Sequence, residues 1–340
     1  MKSENKYTPP SIKRAYWAYR SVGALAAMKE LLPANLFGDG LWLILNYKES
    51  FKRFPNILRP QQFNEHLLRL MISPDGRSKL RARISDKEHV KEFVHQKIGD
   101  GFTARTIEIL RTREDALRYP YPETCVIKAT HASGKTVFRN GGNPSVDLDE
   151  IGTWFDIDYS EHCREPNYRG LEPKVIVEEF LSEDGIGIPV DYKIFCFQGR
   201  PAFIQVDTNR FSGHLRNYFS PNWRELDFQV IHPRSEIPIA RPKKLEQMLN
   251  AAAALSDNFS FIRVDFYQLR ESFYIGELTN FPGGALEGFV PESAGFLAGR
   301  LFVEPALDVE SLFGIRPDSS PRVTALRVDG ALDIQRMHAD

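Results

Sequence analysis

The sequence predicts an α+β chain of two lobes behind a mostly helical N-terminal region. Three observations predict it. Apolar residues recur at helical spacing as far as residue 99. The period shortens to that of strands from Arg105 onward. A glycine-rich stretch, EDGIGIP at 183–189, separates one group of strands from the next. Two strands of the second group each carry an acid inside an apolar run: Asp265 in RVDFY (263–267) and Glu277 in GELTN (276–280), with the turn-like QLRES between them. Uncompensated carboxylates in an apolar setting repel at a cost of several kcal/mol, and a hard cation such as Mg²⁺ removes that cost. Two exposed acids on an edge hairpin are the other reading of the same residues.

Each element follows from local signals. Residues 11–75 read as helices broken at Pro33, Gly38, Gly40, Pro55 and Pro60. Within them, residues 12–32 pattern as an amphipathic helix with a basic-aromatic edge, packed on the protein or docked on a membrane surface. SDKEHVKEFVHQKIG (85–99) has a cap in Ser85 or Asp86, apolar positions Val90, Phe93, Val94 and Ile98 at helical spacing, and Gly99 as its stop. TIEIL (106–110) and TCVIKAT (124–130) read as strands, HASGKTVF (131–138) as a small-residue loop entering another, and 146–165 as helical. KVIVEEFL (174–181) is a strand running into the linker. DYKIFCFQGRPAFIQVD (191–207) is a hairpin with QGR as its turn, and 241–256 is a helix before the acidic hairpin. The chain after residue 305 is polar and contains proline, which predicts a loosely packed tail. The expected division is a helical region 1–84, a first lobe 85–182, a second lobe 183–305 and a tail 306–340.

Composition bounds the function. The chain has 340 residues, 42% hydrophobic and 26% charged, which is an ordinary soluble composition at a length suited to two or three packed lobes. Lys+Arg 44 against Asp+Glu 45 argues against general nucleic-acid binding. The balance is uneven: residues 48–113 hold 15 Lys/Arg and 8 Asp/Glu, an excess of 15 − 8 = 7 that serves as a solvated face or gathers an anionic substrate. Cys125, Cys163 and Cys196 lack metal or disulfide spacing, and Cys125 and Cys196 read as reduced core residues. No apolar run reaches the length of a membrane span and there is no signal-peptide pattern, which makes the cytoplasm the expected compartment.

The residues that carry chemistry stand out by context. Lys128 lies mid-strand among apolar neighbours, where an unpaired ammonium is costly and needs an anion. The HASGK loop that follows lets backbone N–H groups approach phosphate oxygens, although its order and spacing are not those of the P-loop. VEEFL (177–181) is a strand end before a flexible linker, suited to an adenine edge, with Glu178, Glu183 or Asp184 near ribose hydroxyls; an exposed strand end is the plainer reading. Lys193 is a second strand lysine. Arg210 and Arg216 offer planar forks for phosphate or carboxylate, or simply lie at the surface.

In order, SDK (85–87), VIKATHASG (126–134), IVEEFL (176–181), DYKIFCFQG (191–199), RVDFY and GELT (276–279) resemble the ATP-grasp superfamily, and within it the TupA-like branch associated with teichuronopeptide synthesis. The resemblance spans about residues 60–305. It implies the ATP-grasp fold, two α+β lobes gripping ATP between them. By the same resemblance, Lys87 and Lys128 grip the phosphates, and Ser133 and Gly134 lie in the loop that covers them. Glu179 and Leu181 meet adenine through their backbone, with Glu178 and Asp184 beside the nucleoside. Lys193 and Arg210 face the γ-phosphate or an acyl-phosphate. Asp265 and Glu277 hold Mg²⁺, with Glu277 bridging two ions. Many members end the metal site with Glu-x-Asn. Here Thr279 takes the Asn position and Asn280 follows, so Thr279 or Asn280 is the third ligand. The companion glycine-rich loop is reduced to one Ser-Gly.

What the resemblance implies chemically is an ADP-forming carboxylate–amine ligase using ATP and Mg²⁺, acting on a carboxylate of a surface polysaccharide, its precursor or a peptide, with an amine co-substrate and no nucleic acid. The same residue types serve a kinase acting on a glycan or lipid hydroxyl. Asp-containing metal sites also bind nucleotide sugars, which keeps a glycosyltransferase open, and a degenerate nucleotide-binding scaffold is a further alternative. His131 beside the loop either moves a proton or is a hydrogen-bonded structural residue.

Overall fold

The computed structural model describes residues 29, 31–141, 146–183, 187–208, 213–269 and 272–316. Helices come first. α1 (Leu36–Phe51) begins where the Asn35 side chain accepts from the Gly38 N–H, satisfying one of the amides a helix start leaves bare. α2 (Phe63–Ile72) is fixed at its start by Glu65, whose carboxylate accepts from the Gln61 and Gln62 N–H groups. α3 (Lys79–Ser85) and α4 (His89–Ile98) follow. The helix expected over 85–99 is thus shorter at its start. Ser85 closes α3, and Asp86 accepts from the Glu88 and His89 N–H groups to cap α4. Gly99 ends α4 at φ 88°, a conformation glycine adopts without steric cost.

The strands form two main antiparallel sheets. The first has the order β1-β4-β2-β3, from β1 (Thr106–Leu110), β2 (Thr124–Ala129), β3 (Thr136–Asn140) and β4 (Val175–Glu178). α5 (Arg113–Arg118) and α6 (Leu148–Trp154) cover it, and Ala116, Ile151 and Trp154 pack on Leu110, Ile127, Val175 and Val177. α7 (Tyr159–Cys163) leads from that layer back to β4. The second sheet has the order β10-β9-β5-β6-β7, from β5 (Asp191–Phe197), β6 (Arg200–Thr208), β7 (Leu215–Phe219), β9 (Phe261–Leu269) and β10 (Ser272–Thr279). The β5–β6 turn falls at Gln198–Gly199, both at positive φ, within the expected QGR. A short pair, β8 (Gln229–Val230) with β11 (Phe289–Val290), and α9 (Glu292–Arg300) complete the sheet's surroundings.

Strand alternation gives the second sheet two different faces. Tyr192, Ile194 and Cys196 of β5, with Ile204, Val206, Ile262, Val264 and Phe266, pack under α4 and α8 (Leu245–Ser256). The opposite face changes character along each strand. Phe195, Phe197, Phe203 and Phe261 meet Phe63 of α2, with ring centroids 5.4–6.2 Å apart where Phe63 faces Phe195, Phe197 and Phe261. One strand step further on the same face, phenylalanine gives way to charge: Asp191 and Lys193 on β5, Gln205 and Asp207 on β6, Arg263 and Asp265 on β9. The apolar half anchors the sheet, which leaves the charged half as a rigid floor.

The loosely packed tail expected after residue 305 is corrected for residues 306–316. Val309 and Phe313, one turn apart on α10 (Val309–Phe313), are buried in the phenylalanine cluster. The amphipathic segment expected over 12–32 lies outside the described residues apart from 29, 31 and 32. Cys125 and Cys196 are buried free thiols, as expected. Among the described residues no helix is long and apolar enough to cross a membrane.

Candidate active site

Residues from both sheets line one cavity of about 910 Å³, a volume suited to a nucleotide-sized ligand. Its first wall comes from the four-stranded sheet and α4. Lys87 follows Asp86 at the α4 cap, its N–H donating to the Thr130 carbonyl and its Nζ to the Ala132 carbonyl at 2.6 Å. This seats Lys87 against the loop 130–134, whose Ser133 and Gly134 also line the cavity. Burial holds the Lys87 ammonium below the usual lysine range, with the charge of Glu277 working against that shift and Lys128 adding to it. Lys128 donates to Glu178 at 2.6 Å, and Lys91 of α4 pairs with the other Glu178 oxygen while donating to the Ala104 carbonyl and the Thr106 hydroxyl. Burial alone would raise the Glu178 carboxyl, but the two lysines outweigh it and hold it below its ordinary value. Around the end of β4 the lining is apolar, with Val90, Val94, Val126, Phe138, Phe180 and Leu181. Phe138 meets Phe180 edge-on at 6.3 Å. The Glu179 N–H is taken by the Arg105 carbonyl.

The second wall is the charged floor of the five-stranded sheet. Asp265 and Glu277 stand opposite each other in register on β9 and β10, and a bulge between Ile275 and Glu277 contains Gly276. A Cβ at Gly276 would lie 2.5 Å from Cε2 of Tyr267, so a side chain there would displace the Tyr267 ring that covers the bulge. Asp265 accepts from Arg263 through both oxygens, each at 2.6 Å, and from Lys193 at 3.1 Å. Burial raises the Asp265 carboxyl less than these cations lower it. Lys193 also pairs with Asp191. Asp207 binds the Arg216 Nε at 2.7 Å, and that guanidinium, working against burial, holds Asp207 at about 2. Glu277 differs from all of these. It lines the cavity and makes no ion pair among the described residues. Its carboxylate and that of Asp265 offer the oxygen donors Mg²⁺ prefers, so the residues present fit that ion.

Of the expected site residues, Lys87, Lys128, Ser133, Gly134, Glu178, Glu179, Leu181, Lys193, Asp265 and Glu277 all line this cavity. Asn280 does not. It is buried, its Oδ1 accepting from Arg81 at 2.9 Å and its Nδ2 donating to Ser85 at 3.0 Å and to the Arg81 carbonyl. Thr279 does line the cavity, and its hydroxyl accepts from Arg263 at 2.9 Å. Asp184 and Arg210 lie outside the described residues. His131 is buried away from the cavity with its Nε2 on the Trp154 carbonyl, a structural position. Sequence reasoning passed over Lys91, Arg263, Asp207 and Glu165. Lys91 had a signal, four residues after Lys87 on one helix face, and Arg263 another, two residues before Asp265 on one strand face. Glu165 had none. It lines the cavity from the turn after α7, and burial together with the charge of Glu277 pushes it up to about 8.

A family model described as TupA-like ATPgrasp matches residues 65–303. Among solved structures, the chain is similar to a D-alanine–D-alanine ligase from Bacillus anthracis complexed with ATP, at 16% identity over 58% of this chain and 55% of that one, TM-score 0.33. It is also similar to the ATP-grasp ligase PsnB complexed with a minimal precursor, at 10% identity over 60% and 54%, TM-score 0.34. A third similarity is to a D-alanine–D-alanine ligase from Helicobacter pylori, at 16% identity over 69% and 61%, TM-score 0.35. The chain spans about half the length of the first two. No curated protein matches it.

Proposed function

The chain belongs to the TupA-like ATP-grasp family, and from that premise we propose that it is an ADP-forming ligase that joins an amine to a carboxylate through an acyl-phosphate. One observation carries the reading: Lys87 at the α4 cap and Lys128 and Lys193 on two different sheets converge with Asp265 and Glu277 on a single cavity. The apolar pocket at the end of β4 receives adenine, with the Glu179 carbonyl and Leu181 N–H toward its polar edge. The phosphates lie between Lys87 and Lys128, covered by Ser133 and Gly134. Asp265 and Glu277 hold Mg²⁺, with Thr279 beside them; when bound, that ion neutralises the charge on the phosphoryl oxygens.

A carboxylate is a poor electrophile. Its oxygen attacks the γ-phosphorus, the bond to the bridging oxygen breaks, and ADP leaves. Both partners are anionic, so the step depends on positive charge: Lys87, which makes no ion pair among the described residues, adds a cation, and Lys193 is held in position by Asp191 and Asp265 to donate to the transferring phosphoryl group. The amine then attacks the acyl carbon, phosphate departs and one proton is released. Loop 130–134 and the apolar lining keep water from the acyl-phosphate. The acceptor we assign is a carboxylate of a surface polysaccharide, its precursor or a peptide, in keeping with the basic excess over residues 48–113. The test is product mass after incubating the chain with ATP, Mg²⁺ and candidate uronate and amino-acid pairs. A product heavier by one amino-acid residue, formed with ADP, supports the reading. A product heavier by one phosphate makes the enzyme a kinase, AMP with pyrophosphate defeats the acyl-phosphate, and a preference for UDP-sugars over ATP makes it a glycosyltransferase.

A further inference from the structure

We propose that the end of the cavity enclosed by Trp42, Tyr168 and the Gly283–Gly284 turn is the subsite for the amine co-substrate, with the Glu165 carboxylate receiving its ammonium. That the occupant is a co-substrate rests on the ligase reading above; that it is a cation is read from the residues themselves.

The wall is built for a fixed position. Arg164, at φ 55°, donates to Asp39 of α1 at 2.9 Å, and Arg169 binds the other Asp39 oxygen. These two arginines tie the segment 164–169 to α1, where Trp42 lies one turn beyond Asp39. The N-terminal helices, which carry no motif, thereby contribute Trp42 to the cavity. Across from Glu165 the chain is bare. Gly283 and Gly284 follow the acid-bearing strand at φ 57° and 59°, and a Cβ at Gly284 would sit 3.6 Å from Glu165 Oε1. A side chain there would fill the space beside the carboxylate.

Charge then decides what fills it. Lys128 is committed to Glu178, Lys193 to Asp191 and Asp265, and Arg216 to Asp207 and Glu287. Glu165 makes no ion pair among the described residues. Glu277 faces the Lys87 ammonium and Arg263, whereas no cation among the described residues pairs with Glu165, so above about pH 8 its carboxylate is left unpaired in a desolvated setting that a bound cation relieves. An alkylammonium needs one carboxylate and aromatic faces. Tyr168, set edge-on to Tyr159 with centroids 4.7 Å apart, and Trp42 supply the faces.

The test compares n-butylammonium with its uncharged isostere n-butanol, binding to the full chain, by ligand-observed NMR at about pH 8.5, where the amine is charged. The wild type is expected to prefer the ammonium by about tenfold or more, the strength of one charge-assisted hydrogen bond. Glu165→Gln, an isosteric change, should bring the two within about twofold while leaving Mg·ATP binding unchanged, and Tyr168→Leu should reduce the preference severalfold. A wild type without preference overturns the subsite with no variant needed, as does a preference that survives in Glu165→Gln. Mg·ATP binding, titrated in the same samples, reads the ligase proposal separately: its loss in wild type defeats that proposal, while the ammonium comparison still judges Glu165.

Discussion

Glu178 is the buried acid on which the first wall of the cavity depends, and its replacement by glutamine has a calculable cost. The side chain is 5% exposed and bridges Lys128 and Lys91, which are 21% and 17% exposed toward the cavity. Removing one partner of a buried ion pair costs about 3–5 kcal/mol, because the other charge stays desolvated and unpaired. Access of both lysines to cavity water sets the loss at the lower end, about 3 kcal/mol. At about 2 °C per kcal/mol for a chain of this size, Glu178→Gln should melt about 6 °C below wild type. Lys128→Met is the contrast. It leaves Glu178 paired with Lys91, so its cost should stay near 1 kcal/mol, about 2 °C. If the cavity takes nucleotide, the phosphates supply the charge that Glu178 no longer provides, and Mg·ATP should raise the melting temperature of Glu178→Gln more than that of wild type. Circular dichroism melts with and without Mg·ATP measure all four quantities. A Glu178→Gln melt within about 1 °C of wild type, or a Lys128→Met loss as large as that of Glu178→Gln, would refute the reasoning.

Three further outcomes are expected. Asp207 titrates lower in the folded protein than in the unfolded chain, so its stabilisation is present above the unfolded value near 3.9 and is lost as pH falls through about 2. A depression of nearly two units is worth about 2 kcal/mol, so the stability gap between wild type and Asp207→Asn in urea titrations should shrink by about that amount from pH 6 to pH 2; a constant gap would count against it. Glu277→Ala should abolish ADP release while melting within about 2 °C of wild type, since Glu277 makes no ion pair among the described residues; normal turnover by this variant ends the metal assignment. Asn280→Ala should lose about 2–3 kcal/mol in urea titrations because it leaves Arg81 short of a partner in the core, with the Mg²⁺ dependence of turnover unchanged, whereas Thr279→Val should shift that dependence. The reverse pattern would return Asn280 to the metal site.

Much of this site was legible because lysines and acids inside apolar strand runs are costly unless they meet. Lys128, Lys193, Asp265 and Glu277 each carried that signal, and all four line one cavity. Asn280 shows where linear reading fails. The pleat turns residues 277 and 279 to the cavity and sends 280 to the opposite side, into the hydrogen bonds of Arg81 and Ser85. Glu165 was illegible for a different reason, since a lone acid in a turn acquires meaning only when tertiary packing against α1 and Gly284 places it. The helix at 309–313 escaped notice because five residues carry too little periodicity, and its two apolar side chains are fixed by the core they enter. The β5–β6 and β9–β10 hairpins were plain, because alternation and turn residues are local signals, whereas β7, β8 and β11 went unread.

The central claim, that two sheets close on magnesium-loaded adenine nucleotide, is tested most directly by calorimetric titration of ATP into the full chain with and without Mg²⁺. The account predicts one site per chain, binding that depends on Mg²⁺, and affinity weakened at least about tenfold when Lys87 and Lys128 are both replaced by methionine. Absence of binding by the wild type, or affinity undiminished in the double variant, would contradict it.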